Sequence, residues 1–166
     1  MMQRRHWLAG LAATSATALL GSAALSPAFA QSPLRPGALP PLQVWKDPNC
    51  GCCGDWVDYL RADGFTVQVN DVGNTAIRQR LGLPSKYGSC HTGLIAGYVI
   101  EGHVNAREIR RLITERPNAL GLAVPGMPVG SPGMDGEVYG NRRDPYDVLL
   151  VMRDGTSRVY ASYFRT

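Results

Sequence analysis

The sequence predicts an α/β fold: one domain with a mixed central sheet flanked by helices, carrying a long Gly/Pro/Met loop. Three observations carry this. Period-two alternation and helical spacing take turns along residues 42–113, so strands and helices interleave. The later apolar segments lie on either side of turn residues, around Gly97 and around Asp154-Gly155, which adds antiparallel strands. Residues 31–166 are enough for a single core, and they show neither a repeat nor a second domain.

The elements follow in order. Residues 1–30 read as a cleaved export signal: Arg4 and Arg5 are a basic start, Leu8 to Leu25 is an uncharged apolar run, and Ala28-Phe29-Ala30 is a small-x-small cleavage site. Arg4-Arg5-His6-Trp7-Leu8 resembles a twin-arginine signal, and an ordinary secretory signal stays open beside it. Either route places the mature protein in the periplasm or outside the cell, with no membrane segment left. Residues 31–41 form a Pro-rich extended linker, and residues 42–166 the domain. Leu42 to Lys46 alternates as a strand. Asp47-Pro48-Asn49 is turn chemistry, with Asn49 placed to cap a helix. That helix holds Trp56, Val57 and Leu60 on one face and stops at Gly64. Phe65 to Val69 is the second strand. Asn74 to Leu81 is a second helix, closed by Gly82 and Pro84. Thr92 to Ile100 is a strand running into a hairpin or bend at Gly97. Asn105 caps a third helix whose core face is Ile109, Leu112 and Ile113. Gly121 to Gly140 is too long for a simple connection, and such loops are often functional. Asp147 to Met152 and Ser157 to Phe164 close the chain as a hairpin.

Charge excludes one class of partner. Arg4 and Arg5 account for half of the formal +4, so the mature chain is only weakly basic. Its Lys and Arg residues are scattered, apart from Arg107, Arg110 and Arg111 on one helix, which read as a solvated face. No nucleic-acid footprint results.

The cysteines carry the chemistry. Three of the four fall in Cys50-Gly51-Cys52-Cys53, and Cys90 precedes His91. In an oxidising compartment four cysteines can form two disulfides. Any pair within 50–53 closes a tiny ring and constrains almost nothing, so the one useful staple would run to Cys90. A third thiol beside a C-x-x-C pair instead suggests soft ligands, which select Cu(I), zinc or iron–sulfur centres. Three or four thiolates in one place repel and are costly to bury without cations, and bridging sulfur allows more than one metal ion. A strand, a cysteine motif opening a helix, and a second strand make a thioredoxin-like layout. That layout lowers thiol pKa at the helix N-terminus. It also brings the loop Tyr87 to Thr92 opposite the motif, with Cys90 in crosslinking reach, Cα atoms within roughly 7 Å.

Other candidates are more open. His91 adjoins Cys90, and strand neighbours point to opposite faces, so both reach one centre only if the chain is irregular there. His103 reads as a loop or capping residue. Met127 and Met134 sit in a polar loop where packing is a poor explanation, yet spacing alone does not separate ligand from filler. Met152 reads as core. Trp45 and Trp56 flank the cluster, as shields or as core. Asp47, Asp55 and Asp58 offer no acid/base pair, and no catalytic residue is assigned.

Four separated motifs in order resemble one family: Cys50-Gly-Cys-Cys53 with Trp56, Ser89-Cys90-His91-Thr92, Gly102-His103-Val104, and Pro125-Gly126-Met127-Pro128 with Gly130-Ser131-Pro132-Gly133-Met134. They are similar to the CopG-like family of small periplasmic metal-binding proteins, often encoded beside copper-resistance genes, over roughly residues 42–164. The resemblance implies a thioredoxin-like fold, copper held by the cysteines, and a part in copper handling or copper redox chemistry. It raises one or both of Met127 and Met134 to ligands. The resulting metal set is Cys50, Cys52, Cys53, Cys90, His91, Met127 and Met134. The metal is copper as Cu(I), in a site open to more than one ion. The partners are copper ions and other periplasmic copper-handling proteins. The rival function is a thiol–disulfide oxidoreductase with Cys50 or Cys53 as attacking thiol. A zinc-stabilised module is a third reading, which leaves the methionines idle.

Overall fold

The computed structural model describes residues 39–165. The signal at 1–30 and most of the linker lie outside the described residues. Within them the strands are β1 (Leu42–Lys46), β2 (Val67–Asn70), β3 (His91–Ile95), β4 (Tyr98–Glu101), β5 (Gly121–Ala123), β6 (Tyr146–Val151) and β7 (Ser157–Tyr163). The helices are α1 (Gly51–Ala62), α2 (Thr75–Arg80) and α3 (Ala106–Glu115), with 3-10 turns at Ser85–Tyr87 and Glu137–Tyr139. The strands form one mixed sheet in the order β2-β1-β3-β4-β5-β6-β7. β1 runs parallel to β2 and β4 parallel to β5; the other pairs are antiparallel.

Alternation along the strands sorts the core onto two faces. Leu42, Val44, Ile100, Leu122 and Leu150 pack with Trp56, Leu60, Ile109 and Leu112 of α1 and α3. Val99, Ala123 and Val151 point the other way, toward Leu83 and Tyr87 in the segment after α2. A mixed α/β fold is therefore what forms. The arginines on α3 are not merely solvated: Arg110 pairs with Asp63, and Arg111 pairs with Glu115 and lies 4.0 Å over the Tyr160 ring.

Several local readings are corrected. The N-cap of α1 is Cys50, without a side-chain cap bond. Asp47 takes the Asn49 N–H on its own carboxylate at 2.8 Å, so the turn closes before Asn49 can cap. Phe65 is not in β2; its N–H bonds the Leu60 carbonyl to end α1, and its ring enters the core. Asn74 and Asn105 occupy cap positions but use their side chains elsewhere. Asn74 donates to the Ser89 carbonyl and Thr92 Oγ1, and Asn105 accepts from Tyr146. The Gly121 to Gly140 loop begins with β5, a strand where Gly121 lies flat on Val99: a Cβ there would come within 1.9 Å of the Val99 carbonyl oxygen.

Candidate metal centre

Strand register delivers the site. Lys46, the last residue of β1, pairs with His91, the first of β3, and Thr92 pairs with Glu101 at the end of β4. Glu101 in turn pairs with Ala123 at the end of β5. One edge of the sheet thus gathers the turn before α1, the Ser89-Cys90 segment, the Gly102-His103 segment and the start of the long loop. Ala96 and Gly97 both take positive φ (50° and 83°), making a two-residue hairpin turn between β3 and β4. Extending that register two places past Thr92 and Glu101 sets His103 opposite Cys90.

The cysteine sulfurs of residues 50, 52, 53 and 90 lie within 4.8 Å of one another. The expected proximity of Cys90 to the motif therefore holds. Cys50 and Cys53 are joined as a disulfide, Cα atoms 5.3 Å apart, while Cys52 and Cys90 are free thiols. The longer staple to Cys90 is not the one formed. Cys52 Sγ is 3.7 Å from Cys50 Sγ. A second donor group of Cys90, His91 and His103 meets the same 4.8 Å limit. Cys90 precedes the first residue of β3 and sits in a bend, the irregularity that lets it and His91 face one place. Its sulfur is 3.4 Å from His91 Nδ1 and 3.2 Å from His103 Nε2.

His103 is fully buried and belongs to the site rather than to a capping role. Its Nδ1 lies 2.8 Å from the Pro132 carbonyl, which only accepts, so Nδ1 carries the hydrogen. Nε2 therefore presents its lone pair to Cys90, the arrangement in which an outer partner fixes a ligand imidazole. His91 Nε2 is buried without a hydrogen-bond partner among the described residues. The two imidazole nitrogens that face the free Cys90 thiol are His91 Nδ1 and His103 Nε2, and this donor set fits a borderline or soft cation.

The surrounding groups hold Cys90 in place through its neighbour. Ser89 N–H donates to Glu101 at 2.7 Å, its carbonyl accepts from Arg78 at 2.5 Å, and its hydroxyl donates to the Gly126 carbonyl at 2.5 Å. Glu101 is buried, paired with Arg78 at 2.8 Å and bonded by Thr92 Oγ1 at 2.6 Å. Sequence reasoning missed this network, because no spacing rule links α2 to the end of β4. Trp56 is fully buried, its indole N–H on the Val104 carbonyl and its ring 4.2 Å from the His91 ring. It walls the site from within the core, while Trp45 faces Val72, Ala76 and Ile77 of a surface cleft.

The long loop touches both cysteine elements. Gly126, just before Met127, bonds Ser89, as above. Gly133, just before Met134, takes φ of 80° against α1, where a Cβ would meet the Cys52 carbonyl and the Trp56 N–H at 2.7 Å. Met134 is buried and Met127 is 51% exposed. Met152 is partly buried and packs on the core, as expected.

Cys90 lies in the loop facing α1 rather than at its N-terminus, and its surroundings disfavour the thiolate. Burial first, and Cys52 second, push its thiol up to about 12. Burial also pulls both imidazoles down, His91 well below its usual value with His103 adding to the effect. Without a cation the pocket favours a neutral thiol beside two neutral imidazoles, whose free lone pairs are the form a metal ion binds.

Comparison with known proteins places these motifs. A family described as a protein of unknown function, DUF411, matches residues 87–134, the stretch with Cys90, His91, His103, Met127 and Met134. Two solved structures, named copper resistance protein copG, Form 1 and Form 2, are each 47% identical to the chain. Each comparison covers 75% of this chain and 98% of the other, with a TM-score of 0.69. No curated protein matches.

Proposed function

We infer that this chain, which belongs to the CopG-like family, is a copper-binding protein whose cysteine cluster takes Cu(I). The observation that carries the reading is the pair of donor groups meeting at Cys90, four sulfurs on one side and two imidazoles on the other. Neither group contains a carboxylate. Soft thiolates with borderline imidazoles suit Cu(I) and not hard cations. A sulfur shared by two donor groups is suited to bridging, which supports a site with more than one copper.

The proposed donors are Cys50, Cys52, Cys53, Cys90, His91, Met127 and Met134, and the geometry adds His103. Closure of the Met loop over the cluster is supported by Gly126 and Gly133, which anchor it on the two cysteine elements. Copper is the cargo. The chain sequesters it, passes it to other copper-handling proteins or cycles it between Cu(I) and Cu(II), in the setting of copper resistance. It does so in the periplasm, after removal of residues 1–30 and beyond the linker at 31–41. The finer description of the fold as thioredoxin-like is supported by the order β2-β1-β3-β4 and by the cysteine motif opening α1.

Reduced protein titrated with Cu(I) against a chromophoric chelator tests the reading. The double variant Cys50→Ser/Cys53→Ser should bind at least about a hundredfold more weakly, about 2.7 kcal/mol. Equal affinity in wild type and variant refutes it, and zinc displacing copper turns the site into a structural zinc module. The disulfide at the start of α1 favours one rival, a thiol–disulfide oxidoreductase. Apo protein reducing insulin disulfides at rates typical of a dedicated oxidoreductase would put that rival first.

A further inference from the structure

The four cysteines are chemically divided. Closing Cys50 to Cys53 leaves Cys52 and Cys90 as free thiols. It also leaves the Cys90, His91 and His103 group untouched, with both imidazole nitrogens still within 3.4 Å of the Cys90 sulfur. If all four cysteines served only as ligands, the disulfide would abolish the site. Instead it removes one side and keeps a complete three-donor side. Helical spacing explains the pairing: residues three apart at the first turn of α1 share a face, whereas Cys52 projects from another. Cys53 is fully buried and Cys50 is not, so one end of the couple is protected and the other is reachable.

We propose that the Cys50/Cys53 dithiol is an electron source for cupric ion, while Cys90, His91 and His103 are the holding site that survives its oxidation. The inference rests on the copper reading above. The step balances as a single turnover. Each of two Cu(II) ions takes one electron. The two thiols lose two electrons and two protons, the protons go to solvent, and the Cys50–Cys53 bond forms. The products are two Cu(I) ions and one disulfide. Soft donors at Cys90 bind Cu(I) better than Cu(II), so retention of the product pulls the reduction forward. Cys52, 3.7 Å from Cys50, is the neighbouring sulfur that remains when the bond closes.

Two measurements on the full mature chain test this. In the first, Cu(I) is titrated into thiol-reduced protein and into protein with the Cys50–Cys53 bond closed. Both forms should bind, the closed form at least about a hundredfold more weakly, as in the variant that lacks the same two thiols. In the second, reduced protein under anaerobic conditions receives two equivalents of Cu(II). Chelator absorbance counts Cu(I), and alkylation with peptide mass mapping locates the thiols lost. The expected result is two Cu(I) per chain and one disulfide between Cys50 and Cys53, with Cys52 and Cys90 alkylated. Cys50→Ser leaves buried Cys53 in place and should slow Cu(I) appearance by at least about tenfold. A closed form that binds no Cu(I), a disulfide mapped to Cys52 or Cys90, or an undiminished rate in Cys50→Ser overturns the division of labour. If neither the reduced nor the closed form binds Cu(I), the copper reading itself falls, and the division with it.

Discussion

At the scale of single residues, Cys90 shows what the pocket lacks on its own. A thiol pushed up to about 12 by burial and by Cys52 is a poor anion there, and a bound cation is what makes its thiolate affordable. The methionines separate the roles of donor and filler. Met134 is 8% exposed, so Met134→Ala should cost about 2 kcal/mol of stability as a buried truncation, whatever its sulfur does. Met127 is 51% exposed, and Met127→Ala should change stability by less than about 0.5 kcal/mol. As a thioether ligand it should nonetheless matter to copper, and Met127→Ala should weaken Cu(I) binding by about tenfold. Denaturant melts and chelator competition on the two variants check this, and wild-type copper affinity in both leaves the loop as a lid or spacer. The cysteines and His91 were legible in the sequence because thiol density needs no fold to be noticed. His103 was not, because its place depends on register. The signal was present: a turn fixed at Ala96-Gly97 pairs Thr92 with Glu101 and carries His103 to Cys90.

At the scale of elements, the long loop is tied to α1 by one close approach. Gly133 has φ of 80°, and its missing side chain leaves room for the Cys52 carbonyl and the Trp56 N–H, each 2.7 Å from where a Cβ would stand. Both neighbours are helix backbone and cannot swing aside. Gly133→Ala should therefore lift the loop, cost about 1–3 kcal/mol of stability and weaken Cu(I) binding together. Gly136→Ala is the control, since nothing lies within 4 Å of its position and its φ is −70°. It should leave both properties unchanged. Equal behaviour of the two variants, by thermal melt and chelator competition, would show that the approach at Gly133 does not hold the loop. The same loop marks where pattern reading ended. β1 is legible to its limits because Leu42 to Lys46 alternates cleanly. β5 was missed because three residues, one of them Gly121, are too few to show a period; the apolar run Leu120 to Val124 was the available hint. Asn105 misleads because cap preference does not say which neighbour takes the side chain, and Asn49 because Asp47 takes its N–H and the cap position falls on Cys50.

At the scale of the molecule, the sheet extends past β4 through β5 to the β6–β7 hairpin, and that extension is fastened by tyrosines rather than by the metal site. Tyr146 stacks on Tyr163 with ring centres 4.9 Å apart. Tyr146 donates to Asn105 at 3.0 Å, Tyr163 to the buried Glu108 at 2.8 Å, and Tyr160 to Glu115 at 2.8 Å. Burial raises all three phenols above the usual value of 10; for Tyr163 the Glu108 carboxylate adds to it, and the phenol reaches about 12. The sign follows from linkage. Above pH 10 the unfolded chain releases these protons while the folded chain still holds them, so folding is opposed as pH rises. The contribution is complete below pH 10 and fades between pH 10 and about 12 for Tyr163. Denaturant midpoints of the apo protein should therefore fall across that window. Tyr146→Phe/Tyr163→Phe loses three hydrogen bonds, those of Tyr146 to Asn105, Tyr163 to Glu108 and Arg107 to Tyr163, about 1 kcal/mol each, and should be weaker at pH 8. It should nonetheless decline less steeply than wild type above pH 10. Other titrating groups are common to both proteins and cancel in the difference. Parallel declines would mean that the phenols do not carry the alkaline limit and that the hairpin is held by its apolar contacts alone.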